Sequence, residues 1–205
     1  MAYLNFFTLK CILKLTLATN SVGLRHSKVK PFVRLHKVYL SDYSYISNNC
    51  SLAYVSIGSY VSVGPRVCSI HGIHPYQASS QSPLFHQPQS SLFSNHLHVQ
   101  IFQDPNQNQL VGATGSTIVI EDDVWLGSDV KILSGLRIGR GSVIGSCTFV
   151  NRDVPPYSVA YGIPMRIAKQ RFSKEQISDL ENSRWWTLPP KLAAPILLKI
   201  HESHN

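Results

Sequence analysis

What this chain has little of is charge. Charged residues make up 15% of its 205 residues, fewer than a disordered, charge-rich chain would carry. Such a composition suits flat sheet faces covered by Ser, Thr, Asn and small side chains. The four cysteines, Cys11, Cys50, Cys68 and Cys147, are scattered with no Cys-x-x-Cys pair, which argues against a disulfide framework. They read as reduced thiols in a cytoplasmic protein, with Cys68 and Cys147 as small apolar fillers. No dense Lys/Arg run and no recognised motif accompanies the formal net charge of +8, so nucleic-acid binding explains that charge least well. An ordinary basic surface explains it most simply, and attraction of an anionic cofactor or substrate is the functional alternative. Long apolar runs are also missing. Lys10 and Lys14 break the N-terminal stretch, which is too short and interrupted to span a membrane and lacks the layout of a signal peptide.

What is present is a six-residue repeat. An aliphatic residue returns at Ile120, Leu126, Ile132, Ile138, Ile144 and Val150, and a second small or aliphatic residue follows four positions later at Val124, Val130, Leu136, Ser142, Thr148 and Val154. A helix needs a period near 3.6 and a simple strand a period of 2, so neither explains six. Repeats of this length build an all-β solenoid, a parallel β-helix in which each repeat supplies one short strand and one turn. Gly127, Gly139 and Gly145 each follow an anchor, which places glycine at the corners, where it tolerates the backbone angles. A weaker run precedes: Tyr39, Tyr45, Ser51, Ile57 and Val63, with Val55, Val61 and Val67 as second inward positions. The two runs are out of phase, and the segment Ser69 to Thr117 interrupts them. A loop that long inside a compact domain is functional or disordered as a rule.

The chain therefore divides into an N-terminal extension over 1–38, a solenoid over 39–156 with the inserted loop 69–117, and a C-terminal segment with helices over 157–205. In the extension, Leu4, Phe7, Cys11 and Leu15 share one helical face. A helix packed on the solenoid end is the favoured reading, shielding an edge strand; weak contact with an acidic membrane surface is the sharper alternative. After Pro155-Pro156, Tyr157 to Arg171 reads as irregular. Ser173 then caps a helix running to about Arg184, with Gln176 as its capping-box partner and Phe172 and Ile177 as a staple. Trp185 and Trp186 pack that helix on the last coil, and Pro189-Pro190 begin a second helix through Lys199.

The stretch Asp123-Val124-Trp125-Leu126-Gly127, continuing through Leu133-Ser134-Gly135-Leu136-Arg137-Ile138-Gly139 to Asp153-Val154-Pro155-Pro156-Tyr157, resembles the left-handed β-helix O-acetyltransferases. The branch is the one shared by xenobiotic (chloramphenicol) acetyltransferases and related sugar O-acetyltransferases. Gly162-Ile163-Pro164-Met165-Arg166-Ile167 completes the match in part, and the resemblance covers roughly Tyr39 to Trp186. The loop carries a second signature, His71-Gly72-Ile73-His74-Pro75-Tyr76 followed by Ser82-Pro83-Leu84-Phe85. His74 matches the histidine that, in this family, acts as general base on the acceptor hydroxyl. Its chemistry suits the task, because an alcohol must lose its proton as it attacks a thioester and a neutral imidazole can take it. The sequence names no acceptor for the other ring nitrogen. His71, three residues upstream, is the main competitor.

The resemblance implies acetyl-CoA as acyl donor, direct transfer in a ternary complex, and a homotrimer with active sites between subunits. It places Trp125 beside the thioester or acceptor, or else as a corner residue packing between subunits. Gly127 and Ser128 match the corner facing the pantetheine arm, whose backbone amides would bond that arm, and Ser146 the equivalent residue one coil on. Asn151, Arg152, Arg166 and Lys169 match positions near the adenosine phosphates, where cations neutralise charge; ordinary surface charge explains Lys169 equally well. The sequence has Ile73 where the xenobiotic enzymes have Asn, which favours a saccharide acceptor, a surface polysaccharide or its precursor, over an antibiotic. Two other classes stand as alternatives. One is a zinc carbonic anhydrase on the same solenoid, for which His71, His74, His86, His96 and His98 are the ligand candidates, although no metal site is expected. The other is an inactive scaffold.

Overall fold

The computed structural model describes residues 17–19, 26–72, 74–86 and 117–204. The chain forms two compact units, residues 1–69 with 110–205, and residues 70–109. Among the described residues the strands are β1 (Leu17–Thr19), β2 (Lys28–Val29), β3 (Arg34–Leu40), β4 (Tyr45–Ile46), β5 (Ser51–Ile57), β6 (Ser62–Val63), β7 (Cys68–Ile70), β8 (Ile118–Ile120), β9 (Trp125–Leu126), β10 (Lys131–Leu133), β11 (Arg137–Ile138), β12 (Val143–Ile144), β13 (Phe149–Val150), β14 (Ser158–Tyr161) and β15 (Arg166–Gln170).

In the first unit these strands wind into a parallel β-helix. One face stacks β2, β4, β6, β9, β12 and β14 in parallel, and β15 turns back antiparallel to close it. The remaining strands make the other two faces. β3 and β5 each serve both, bending at Lys37 and Tyr54, where φ is positive. The core is the column of inward residues: Ile120, Leu126, Ile132, Ile138, Ile144 and Val150 are all at most 1% exposed. The second inward positions are filled as the repeat demands, Ser142 and Thr148 included.

In the later coils the interval is eighteen, Ile120 with Ile138, Leu126 with Ile144 and Ile132 with Val150, until the last coil, where Ile138 pairs with Val154 and Ile144 with Ala160 at an interval of sixteen. In the earlier coils the interval is seventeen: Leu40 with Ile57, Ile46 with Val63. That missing residue corrects the first run. The buried anchors are Leu40, Ile46 and Leu52, whereas Tyr39 is 42% and Tyr45 41% exposed and Ser51 also faces out. A strict six-residue count drifts by one position across the short coil, and one position in a strand reverses the side chain. The phase difference between the runs is absorbed by the inserted segment, since Ile57 still pairs with Ile120.

The corners are corrected as well. Positive φ falls three residues after each anchor from Ile120 to Ile144, at Asp123, Asp129, Gly135, Gly141 and Cys147, not at Gly127, Gly139 and Gly145. Those glycines serve stacking. A Cβ on Gly127 would lie 2.6 Å from the Ser146 nitrogen, and one on Gly139 would lie 2.5 Å from that of Pro156.

The solenoid also takes in more chain than expected. Its strands begin before Tyr39, in β1, β2 and the start of β3, and Leu4 to Leu15 lie outside the described residues. Residues 157–171, read as irregular, form the β14–β15 hairpin instead; β14 continues the inward pattern with Ala160 at 0% exposure. Beyond it, the Lys174–Ser183 helix starts as expected, with the Gln176 N–H donating to Ser173 Oγ at 3.2 Å. The last helix spans Pro190–Ser203, one turn past Lys199. Trp185 and Trp186 are buried, and with Phe172, Ile177 and Leu180 they pack around Tyr157 and Tyr60 of the coils.

Candidate active site

The histidine signature lies in the second unit, described over 70–72 and 74–86. His74 is exposed, on a turn that its neighbour Pro75 helps to fix through its constrained φ. The Ala78 N–H donates to the Pro75 carbonyl at 2.8 Å, and Gln81 Nε2 donates to the same oxygen at 3.1 Å. This folds the chain back so that the Gln81 carbonyl meets His74 Nδ1 at 2.6 Å. A carbonyl can only accept, so Nδ1 carries the hydrogen, and in the neutral ring Nε2 then holds the lone pair. That is the tautomer a general base needs, with its free nitrogen able to receive a proton. The acceptor left unnamed by the sequence is thus a main-chain atom, which no residue type could have signalled. His71, the competing histidine, is half-buried.

A further residue stands beside His74. His86 ends the short Pro83–His86 helix, is 2% exposed, and sets its ring edge-to-face against that of His74, with centroids 5.3 Å apart. The sequence offered His86 only as a zinc candidate. Among the described residues no three His, Cys, Asp or Glu side chains come together as metal ligands; His96 and His98 lie outside the described residues.

In the first unit, Trp125 sits on β9 next to the inward Leu126, so it points out of the solenoid and is 49% exposed. Its register continues through Val143 and Val159 to Lys169 on β15. At about 4.8 Å per strand, Trp125 and Lys169 stand roughly 14 Å apart along one outward row. Gly127, Ser128 and Ser146 come together at one edge of this face. The Ser128 N–H donates to Ser146 Oγ at 3.2 Å, and the Cys147 N–H donates to the Ser128 carbonyl at 2.8 Å. The Gly127 N–H donates to the Ile144 carbonyl at 2.8 Å. The amides of Gly127 and Ser128 thus each donate within the solenoid. What this edge offers is a low wall without side-chain bulk.

Asn151 and Arg152 follow β13 and are exposed; Arg166 and Lys169 are exposed on β15. The Phe149 N–H reaches the Gly162 carbonyl at 3.3 Å, tying the start of β13 to the turn that leads into Arg166. Among the described residues Arg152, Arg166 and Lys169 join no ion pair, whereas Arg66, Arg137, Arg140 and Arg171 each have a carboxylate partner. Unpaired, exposed cations are the donor set that anionic phosphate takes.

The family model for bacterial transferase hexapeptide repeats (six repeats) matches residues 117–152. The chain is 37% identical over 133 residues to the chloramphenicol acetyltransferase of Klebsiella aerogenes, covering 63% of this chain and 58% of that protein. It is 43% identical over 53 residues to the galactoside O-acetyltransferase of Lactococcus lactis, 26% of either chain. The chain spans less than two thirds of the length of the chloramphenicol acetyltransferases it matches, 58% to 65%. In fold it is similar to the maltose O-acetyltransferase of Clostridium difficile, with a TM-score of 0.53 at 22% identity, over 84% of this chain and 80% of that one.

Proposed function

This chain is a hexapeptide-repeat protein, with the bacterial transferase repeats over residues 117–152, and on that premise we propose that it transfers an acetyl group from acetyl-CoA to the hydroxyl of a small acceptor. The observation that carries this reading is the Gln81 carbonyl 2.6 Å from His74 Nδ1, which leaves Nε2 as the proton acceptor. Acetyl-CoA supplies an activated acyl carbon for the acceptor oxygen. His74 takes the hydroxyl proton at Nε2 as that oxygen attacks, and its own Nδ1–H stays on Gln81, so the imidazolium that forms is held in place. As the thioester C–S bond breaks, the coenzyme A sulfur leaves with that proton, and His74 returns to its neutral form. Arg152, Arg166 and Lys169 are the residues that would hold the phosphates of the donor, and Gly127, Ser128 and Ser146 the wall along which its arm lies. Trp125 gives the same face an aromatic surface.

The acceptor is a saccharide hydroxyl. The match to a galactoside O-acetyltransferase and Ile73 in place of Asn support this. A second reading, an antibiotic hydroxyl of the chloramphenicol type, has the longer matches to chloramphenicol acetyltransferases in its favour. The assembly is a homotrimer with sites between subunits, in the cytoplasm. Among the described residues no helix is long and apolar enough to cross a membrane.

The first experiment is calorimetry of acetyl-CoA on metal-free protein, followed by turnover on galactosides, maltose and chloramphenicol. His74→Ala is expected to bind acetyl-CoA normally and to lose at least ~100-fold in turnover. Near-normal turnover in that variant would remove His74 from the mechanism and promote His71.

A further inference from the structure

The geometry points to His86 as the positioning residue for His74, a role that rests on His74 being the base. A hydrogen bond from Nδ1 to the Gln81 carbonyl pins one atom of an otherwise exposed ring. The ring can still pivot about that bond, and a pivot moves Nε2, the atom that must meet the acceptor proton. The His86 ring stands against it at 5.3 Å between centroids and 71° between planes, within the range where edge-to-face aromatic pairs attract. A contact on the ring added to a bond on its edge removes the remaining freedom.

His86 is suited to be the fixed partner. It is 2% exposed, at the end of the helix that begins at Pro83, and buried side chains are held in single rotamers by their neighbours. Its Nδ1 is buried and finds no hydrogen-bond partner among the described residues. Leaving a buried nitrogen unpaired is unfavourable, so such an atom calls for an explanation. Since that atom makes no bond, the ring acts on His74 through its aromatic contact. The sequence places this residue one position after Ser82-Pro83-Leu84-Phe85, on the element that follows Gln81. The same short segment thus supplies both the carbonyl and the wall that orient the base.

The test compares two substitutions that both fill the site. His86→Leu keeps the volume and loses the aromatic edge; His86→Phe keeps the edge and removes the orphaned nitrogen. In protein labelled with 15N at histidine, His74 in the wild type should show the ring pattern of a single Nδ1–H tautomer. In His86→Leu the tautomer should persist, because the bond to Gln81 remains, while the His74 ring signals broaden as the ring pivots about that bond. kcat should fall about tenfold, with KM for acetyl-CoA unchanged within about twofold. His86→Phe should restore both the spectrum and kcat. An unchanged His74 spectrum in His86→Leu, or a His86→Phe variant as impaired as His86→Leu, would overturn the proposal. A wild-type protein without transferase activity would instead sink the functional reading, and the spectra would still decide the role of His86.

Discussion

At the scale of single residues, the solenoid works because polar groups inside it bond across coils. Ser142 and Thr148 occupy inward positions at no more than 1% exposure. Ser142 Oγ donates to the Pro155 carbonyl of the next coil at 2.9 Å; Thr148 Oγ1 donates to Gly145 in its own coil at 2.7 Å and accepts from the Gly162 N–H of the next at 3.2 Å. Ser44 Oγ donates to the Gly58 carbonyl at 2.8 Å. Each hydroxyl replaces a methyl in volume and returns a hydrogen bond for its lost hydration. Gly127 shows the opposite constraint. A methyl there meets main-chain atoms of the next coil, which cannot rotate away as a flexible side chain could. Gly127→Ala is expected to destabilise the fold by about 1–3 kcal/mol through forced displacement of that coil. A thermal melt checks this; an unchanged Tm would show that the coils have more slack than their spacing implies.

Among elements, the join between solenoid and C-terminal helices is a polar node inside an aromatic shell. Arg140 donates to Asp122 at 3.2 Å and to Glu181 at 2.7 Å while its guanidinium lies 3.7 Å over the Trp186 ring. Tyr157, 2% exposed, donates its hydroxyl to the other Glu181 oxygen at 2.7 Å. Burial, reinforced by the hydrogen bond and the charge of Glu181, pushes the Tyr157 phenol well above its ordinary range. The folded state therefore holds that proton more tightly than the unfolded chain. The contribution is complete below about pH 10, where an unfolded tyrosine titrates, and is lost as pH rises beyond it. Tyr157→Phe is expected to cost about 1 kcal/mol at neutral pH and to flatten the alkaline fall in Tm. Parallel alkaline curves for the two proteins would exclude Tyr157 as the group responsible.

For the whole molecule, the excess of cations has a distribution as well as a sum. Arg66, Arg137, Arg140 and Arg171 are tied to carboxylates of neighbouring coils, so they contribute little field for an incoming anion. Arg152, Arg166 and Lys169 are left exposed near the end where β13, β14 and β15 meet. If these hold the donor's phosphates, Arg152→Ala or Arg166→Ala should weaken coenzyme A about tenfold, the loss of roughly one charge-assisted bond. Dephospho-coenzyme A should be affected less by whichever of the two contacts the 3′-phosphate. Equal losses for both ligands, measured by calorimetry, would reject that contact.

Periodicity by itself determined the solenoid, because an inward residue every sixth position is forced wherever a narrow core must be filled from three sides. Neighbours within a few residues determined the Ser173 cap and the buried Trp185-Trp186 pair, whereas His74 is singled out by the resemblance and not by the repeat. The first run was misread at Tyr39, Tyr45 and Ser51 because a coil of seventeen residues differs from one of eighteen only in how the chain stacks on its neighbour. The glycines were placed at the right positions for the wrong reason. Their need is the closeness of the next coil, and a sequence shows residue types but not separations between coils. The hairpin over 158–170 was hidden because β15 pairs antiparallel, outside the repeat. In the second unit the tertiary structure decided what the side chains could not announce, a backbone carbonyl of Gln81 that sets the His74 tautomer and the His86 ring that flanks it; in the first unit it engaged the amides of Gly127 and Ser128 within the solenoid. These are relations between main-chain atoms and between residues apart in the chain and close in space, which residue identity does not encode.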